Sequence, residues 1–258
     1  MDVSNPSLML QGSDYNPEQK PNDPAILDMK AGQFEGEVLM PYRLFEPEGT
    51  SSENRLPLVV CLHGAGARGT DNVKPMSLFE TFWNPDRQAQ HPCFVLAPQM
   101  NRSWAPDIGA FINYSSTAHP ATDEMRCLLT GVETILKTHP IDPDRVYLVG
   151  QSMGGFGTWD ALARQPNRWA AAVPICGGGD PDAAAKFAQI PIWAWHGNLD
   201  DTVCVENTRE LIAAIRQAGG HPRYTELPVK HGSWNNAFAE KTLYSWLFQQ
   251  TRKTKATS

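Results

Sequence analysis

The sequence has 258 residues, of which 41% are hydrophobic and 19% charged, as in an ordinary globular chain and unlike a disordered one. The 22 lysines and arginines against 28 aspartates and glutamates give a net charge of −6, and the absence of a basic block argues against nucleic-acid binding. The longest apolar run, residues 169–176, is far too short for a membrane span, so none is predicted.

Cysteine and histidine usage favours neither a disulfide framework nor a metal site. The five cysteines are scattered without a C-x-x-C pair, and none of the seven histidines lies three or four residues from another. No signal peptide is visible at the N-terminus, so a cytoplasmic location is expected. A protein whose leader had been removed, secreted or periplasmic, would look the same. No metal and no cofactor are expected.

The N-terminal residues 1–33 are predicted to be an irregular arm, because prolines are frequent there and apolar residues are few. Residues 34–252 then form one domain, and residues 253–258 form a C-terminal tail. The domain begins with edge-strand segments on both sides of Pro41. Six short runs follow as strand candidates: Leu58–Leu62, Cys93–Ala97, Arg145–Val149, Ala171–Cys176, Ile190–Trp195 and Arg223–Leu227.

Helical patterns lie between these strand candidates. Apolar residues recur at helical spacing in 122–138, 205–218 and 236–249, and a further helical run follows residue 152. The 205–218 pattern stops at two consecutive glycines, as a helix C-terminus does. Strands that alternate with helices predict an α/β domain, with a mainly parallel sheet covered by helices on both faces.

The sharpest chemical signal is the G-x-S-x-G motif at 150–155, with the sequence GQSMGG. It stands directly after a predicted strand and directly before a predicted helix, which is the context of a nucleophile elbow. Such a tight turn strains the serine backbone and requires small neighbours, which the glycines supply. Ser152 is therefore the predicted nucleophile. The alternative is a serine in an ordinary glycine-rich turn.

A serine nucleophile needs a general base, and the base needs a group that orients it. His231 lies in the loop between the last strand and the last helix, at the carboxyl edge of the sheet, and is the predicted base. His221 stands at the wrong end of that strand, and His196 is interpreted as a local hydrogen-bonding residue. Asp200 and Asp201 lie in the loop after the previous strand. Either can supply the acid, and one of them can instead open the next helix as a cap.

The glycines after the first buried strand support two interpretations. Gly64-x-Gly66-x-x-Gly69 matches a dinucleotide fingerprint, but neither a clean helix nor the expected acidic residue follows. The same glycines suit an oxyanion loop, which we favour over both the dinucleotide site and a plain turn. In such a loop a backbone N–H near Ala65, together with that of Met153, binds the oxyanion of a tetrahedral intermediate.

Taken in chain order, the segments HGAGARGTDN, CFVLAPQ, SW, GQSMGG, HGNLDD and HGSW make this chain resemble the α/β-hydrolase superfamily. More narrowly, it resembles bacterial esterases of the phospholipase/carboxylesterase or predicted-peptidase group, relatives of prolyl oligopeptidase catalytic domains. The similarity covers roughly residues 35–250. It implies an α/β-hydrolase fold with nucleophile Ser152, acid Asp200, base His231 and oxyanion donors Ala65 and Met153.

The resemblance also implies a function. It indicates a single-domain serine hydrolase that cleaves short-chain or carbohydrate-linked carboxylic esters through an acyl-enzyme. A serine peptidase with the same triad and a non-catalytic binding protein of the same fold remain alternatives. Trp104 and Trp234 lie in loops beside the motifs and are candidate substrate contacts. One departure from the family pattern is Ala67, where many relatives carry a glutamate that supports the loop.

Overall fold

The central feature of the fold is one eight-stranded sheet, seen in a computed structural model that describes residues 23–106 and 112–252. Its strands are β1 Lys30–Phe34, β2 Met40–Phe45, β3 Leu56–Leu62, β4 Phe94–Pro98, β5 Ile141–Gln151, β6 Ala171–Ile175, β7 Trp193–Gly197 and β8 Arg223–Leu227. Their spatial order is β1-β2-β4-β3-β5-β6-β7-β8. The described helices are α1 Pro24–Leu27, α2 Lys74–Leu78, α3 Glu80–Trp83, α4 Pro85–Gln90, α5 Asp123–Thr138, α6 Met153–Arg164, α7 Ala184–Phe187, α8 Glu206–Gln217, α9 Ser233–Ala239 and α10 Lys241–Phe248.

The strands from β3 to β8 run parallel, and β2 alone runs in the opposite direction, pairing antiparallel with β4 on one side and with the edge strand β1 on the other. The six apolar runs of the sequence overlap these six parallel strands, so the prediction of an α/β domain with a mainly parallel sheet is confirmed. Parallel neighbours need a crossover between them, and the helices supply it. No helix among the described residues is long and apolar enough to cross a membrane.

Two apolar layers cover the sheet, one on each face. In β3, the side chains of Leu58, Val60 and Leu62 join the layer that contains residues of α5, α6 and α8. Val59 and Cys61 point the other way, into the layer formed with α2, α3, α9 and α10. Because both faces are buried at the centre of the sheet, the sequences of β3, β4 and β6 are continuously apolar and do not alternate with polar residues.

The two ends of the domain differ from the sequence prediction. The structure has α1 and most of β1 inside the predicted irregular arm 1–33, so the described part of that arm, from Asp23 onward, contains regular structure. In β1 only Phe34 is buried, and the strand is held by backbone pairing with β2, which leaves no hydrophobic pattern in the sequence. The predicted helix 236–249 is two helices, because Glu240 interrupts it and caps α10 by accepting the Thr242 N–H. Residues 1–22 and the predicted tail 253–258 lie outside the described residues.

The first turn of α6 lies in direct backbone contact with the end of β3. A Cβ atom at Gly154 would stand 1.9 Å from the carbonyl oxygen of Leu62, and one at Gly150 would stand 2.1 Å from the carbonyl oxygen of Gly154. No rotation of a side chain can relieve a clash with backbone. Glycine at these positions therefore permits the approach that places the N-terminus of α6 at the carboxyl edge of the sheet.

We expect Gly154→Ala to lower the free energy of unfolding by about 3 kcal/mol, because the added methyl group overpacks a rigid backbone contact. Urea unfolding followed by circular dichroism measures this change. Gly36→Ala is the matched control, since its Cβ would meet the Cys127 Sγ at 3.5 Å, an ordinary contact. Equal stability of the two variants would contradict the proposed packing.

Candidate active site

Ser152 occupies a strained turn between β5 and α6. Its φ of 55° and ψ of −120° lie in a region that non-glycine residues rarely adopt. The turn is held on one side by the Ser152 N–H, which donates to the Ile175 carbonyl oxygen at 2.9 Å. Because α6 begins with the next residue, its unpaired N–H groups lie beside the serine hydroxyl. This is the geometry of the elbow that the motif predicts.

Three loops at the carboxyl edge of the sheet bring the predicted triad residues together. The His231 Nε2 lies 2.9 Å from the Ser152 Oγ, and its Nδ1 lies 2.7 Å from the Asp200 Oδ2. The carboxylate can only accept, so Nδ1 carries the hydrogen and Nε2 is free to accept the serine proton. The residues belong to the connections β5–α6, β7–α8 and β8–α9, so no two of them are local in the sequence.

The Asp200 carboxylate is fully hydrogen-bonded. Its Oδ1 accepts the N–H groups of Thr202 and Val203, each at 2.9 Å, and its Oδ2 accepts from His231. The Nε2 of His196 lies 3.2 Å from the same Oδ2. Burial by itself would raise the pKa of Asp200, but these hydrogen bonds outweigh it and hold the pKa well below its usual range. The carboxylate is therefore ionised throughout the neutral range.

The neighbouring Asp201 points away from the imidazole. Its carboxylate forms an exposed ion pair with Lys230 at 2.8 Å. Neither aspartate caps α8, the role that the sequence left open for one of them. Asp200 makes the turn hydrogen bonds, and the residue before α8, Val205, has no capping side chain.

Opposing effects set the pKa of His231. Burial would lower its pKa, but the hydrogen bond with Asp200 and the contact with Cys176 outweigh burial and raise the pKa. Cys176 is fully buried, and burial raises the pKa of its thiol, so the charge that favours the imidazolium comes from the carboxylate.

Cys176 was not identified as a site residue from the sequence, where it reads as a small buried hydrophobe. It follows β6 with a φ of 40°, which no sequence pattern signals. One cluster of possible metal ligands is found among the described residues. It consists of Cys176, Asp200 and His231, whose candidate ligand atoms lie within 4.8 Å of one another. The hydrogen bond between the last two accounts for that closeness, and we assign no metal to it.

The two predicted oxyanion donors lie on backbone segments that approach each other. Ala65 opens a 3-10 turn, Ala65–Ala67, just after β3, and Met153 opens α6. The contact of Gly154 with the carbonyl groups of Leu62 and His63 holds the two segments together. Within the described part of the chain, neither the Ala65 N–H nor the Met153 N–H has a hydrogen-bond partner. Their joint use as an oxyanion hole stays a prediction.

The oxyanion loop is supported by a neutral histidine. The His63 Nδ1 donates to the Gly64 carbonyl at 2.7 Å, and its Nε2 accepts the Met100 N–H at 3.3 Å. Burial lowers the pKa of His63 to about 4, so the ring is uncharged at neutral pH. The indole N–H of Trp104 donates to the His63 carbonyl at 2.9 Å, and Trp104 is fully buried. This placement favours a supporting role for Trp104 over the substrate contact that the sequence suggested.

Gln99 provides the loop with a second support that sequence reasoning missed. Its Nε2 donates to the Ala67 carbonyl at 2.9 Å and to the Asp71 Oδ2 at 3.1 Å, and its Oε1 accepts the Asn72 N–H at 2.6 Å. Three hydrogen bonds of one buried amide thus hold this loop. Position 67, where this chain departs from the family pattern, lies in the same loop. The only sequence feature that could have indicated this supporting role was the position of Gln99 at the end of the CFVLAPQ segment.

Trp234 lies beside the base. Its ring stands edge-on to that of His231, with centroids 5.3 Å apart and an interplanar angle of 88°. The side chain is partly buried against the sheet layer that includes α9 and α10. It therefore limits the movement of the imidazole, and its contact with a substrate stays a prediction.

Similar proteins agree with this fold and this site. Residues 115–193 match the model of the Prolyl oligopeptidase family. A thermostable esterase of known structure is 36% identical, with a TM-score of 0.78 over 88% of this chain and 64% of its own.

Two curated relatives are similar over shorter stretches. A bifunctional acetylxylan esterase/xylanase of Neocallimastix patriciarum is 31% identical over 45% of this chain and 17% of its own length. Dipeptidyl-peptidase 5 of Porphyromonas gingivalis is 32% identical over 51% of this chain and 18% of its own length. This chain thus spans less than a fifth of each of these two. The sheet topology, the strained serine turn and the solved esterase give the chain an α/β-hydrolase fold, and residues 115–193 are similar to the prolyl oligopeptidase family.

Proposed function

We propose that this protein is a serine hydrolase that cleaves carboxylic esters through an acyl-enzyme. The observation that carries the proposal is the unbroken hydrogen-bond chain from the Ser152 Oγ through His231 to Asp200. A serine hydroxyl is a weak nucleophile unless a base removes its proton, and an imidazole held by a buried carboxylate does so. The complete chain also argues against a non-catalytic binding protein of this fold.

Each step of the reaction has a group in place. His231 Nε2 takes the Ser152 proton as Oγ attacks the ester carbonyl, and the N–H groups of Ala65 and Met153 bind the negatively charged oxygen. Asp200 stabilises the imidazolium that forms. His231 then returns the proton to the leaving alcohol, and a water molecule repeats the sequence on the acyl-enzyme to release the acid.

The preference for esters is supported by the solved thermostable esterase. It is 36% identical to this chain over an alignment that covers 88% of this chain. The curated acetylxylan esterase relative adds carbohydrate-linked acyl groups as candidate substrates. A serine peptidase is the second candidate, supported by the Prolyl oligopeptidase family match and by dipeptidyl-peptidase 5. Both candidates use the same triad and differ in the leaving group.

The nucleophile is tested by Ser152→Ala. We expect the loss of labelling by a fluorophosphonate probe and a decrease in ester turnover on the order of 10⁴-fold, with the fold intact, because no other group here can form the acyl-enzyme. Wild-type protein labelled under the same conditions is the reference. A variant that kept a tenth of the wild-type activity, or folded wild-type protein that did not react with the probe, would refute the proposal.

The acid is tested by comparing Asp200→Asn with Asp201→Asn under saturating short-chain ester. Asp200→Asn should reduce kcat by roughly 10⁴-fold, because the imidazole loses the carboxylate that sets its tautomer. Asp201→Asn removes only an exposed ion pair and should cost less than about tenfold. Circular dichroism of both variants controls for folding. The reverse order would assign the acid to Asp201.

Substrate class is tested with a panel of p-nitrophenyl esters and peptide anilides. We expect a higher kcat/KM for acetate or butyrate than for palmitate, because Ser152 and His231 are almost fully buried and a short acyl group reaches them with less displacement of the surrounding loops. Anilides should not be cleaved. Faster cleavage of palmitate would contradict the short-chain preference, and efficient cleavage of anilides would favour the peptidase.

A further inference from the structure

His196 lies on the far side of the catalytic carboxylate from His231. It is the fourth residue of β7, it is fully buried, and its Nε2 stands 3.2 Å from the Asp200 Oδ2 and 3.0 Å from the Val203 carbonyl oxygen. Its Nδ1 stands 2.8 Å from the Thr208 Oγ1 on α8. The ring is thus clamped between the loop that bears Asp200 and the helix that follows it.

The tautomer of His196 follows from its neighbours. A carbonyl oxygen and an ionised carboxylate can only accept hydrogen bonds, so the Nε2 that faces both must carry a hydrogen. That N–H is shared between the Val203 carbonyl and Asp200. The Thr208 hydroxyl, which also bonds the Gly177 carbonyl at 2.9 Å, prevents the ring from turning away.

Both histidines bond the same oxygen atom of Asp200. The Oδ2 accepts from the His231 Nδ1 at 2.7 Å and from the His196 Nε2 at 3.2 Å. Donation to one oxygen reduces its capacity as an acceptor for the other donor, because the same negative charge is shared. How strongly Asp200 holds a proton on His231 therefore depends on His196.

We propose that His196 is a positioning residue that orients Asp200 and moderates its hold on the catalytic base. This inference rests on the proposed serine-hydrolase function. His196 touches neither the serine nor the base, so its effect on turnover passes through the carboxylate. Because both histidines bond one oxygen, loss of His196 should move the pKa of His231 in one defined direction. A residue that only packs against the loop would not have this effect.

The direction follows from the protonation state of His231 in the reaction. His231 must be unprotonated to accept the serine proton, so activity falls as the pH drops through its pKa. Without the His196 N–H, the Oδ2 charge is less compensated and holds the His231 proton more strongly. The pKa of His231 then rises, and the acidic limb of kcat/KM moves to higher pH. Loss of the carboxylate charge in Asp200→Asn moves the limb the other way.

Both rings contact groups from several elements of the described chain. His196 contacts Asp200 and Val203 of its own loop and Thr208 of α8. The neighbours of His231 include Asp200, Cys176 at the end of β6, Ser152 at the elbow and Trp234 on α9. Of these groups, Asp200 is the carboxylate that both rings contact. A shift of the acidic limb of the pH profile therefore reports on the hydrogen bonding of Asp200.

The experiment compares His196→Phe, which keeps an aromatic ring but loses the N–H, with His196→Gln, which keeps an amide N–H donor. For His196→Phe we expect kcat to fall on the order of tenfold, as for other residues that orient a catalytic group through a hydrogen bond. The acidic limb should rise by about half a pH unit, with KM nearly unchanged. His196→Gln should lie between this variant and wild type. His221→Gln, at an exposed histidine, is the control and should match wild type.

A second measurement does not depend on turnover. The pKa of His231 is followed by NMR titration of ¹⁵N-labelled histidines in wild type, His196→Gln and, where it folds, His196→Phe, and we expect an upward shift in both variants. An unmoved or lowered pKa in a folded variant of an active enzyme overturns the inference. Absence of fluorophosphonate labelling in the wild type, with the NMR shift present, would instead refute the proposed function and leave the coupling of the two histidines through Asp200 standing.

Discussion

The remaining geometry of the site depends on one constraint, the close backbone contact between the first turn of α6 and the end of β3. It requires hydrogen in place of a side chain at Gly154, and it requires the chain to reverse within a single residue, which pushes Ser152 into a positive φ. The strain is balanced by burial and by the hydrogen bond from the serine N–H to β6. The result is a hydroxyl that stands clear of the sheet beside the free N–H groups of a helix.

That contact also positions the predicted oxyanion loop. The loop after β3 lies against α6 because the two backbones touch, and it keeps its shape through groups that come from the far end of β4. Gln99 and Trp104 hold carbonyl groups of the loop. The carbonyl groups of His63 and Ala67 are therefore already hydrogen-bonded. In the proposed reaction, the N–H group of Ala65 in the same loop would bind the negatively charged oxygen. Support of this kind explains how the loop persists with alanine at position 67.

The two buried histidines closest to the proposed oxyanion hole and nucleophile have opposite electrostatic environments. Among the residues that the structure describes, no carboxylate is hydrogen-bonded to His63, so desolvation dominates and the ring stays neutral as a structural element. His231 is buried nearly as deeply, but the ionised Asp200 beside it reverses the sign and raises its pKa. The same residue type therefore serves as scaffold in one loop and as proposed base in another, and the carboxylate makes the difference.

From the sequence alone it was possible to predict the parallel sheet, the helices around it and the serine turn, because these depend on local patterns: apolar runs, helical spacing and glycines next to a serine. The site residues Ser152 and His231 and the pair Asp200–Asp201 were also within reach, because parallel strands deliver their C-terminal loops to one edge. The resemblance implied Asp200 as the acid, whereas the local pattern left the choice between the two aspartates open. The tertiary structure shows that Asp200 bonds the imidazole, which depends on the direction of a side chain in an irregular loop. It alone placed β1 in the sheet, because edge pairing uses backbone groups common to every residue. The position of Cys176 beside the triad and that of Gln99 beneath the Ala67 loop likewise depend on contacts between residues far apart in the chain, for which no local pattern exists.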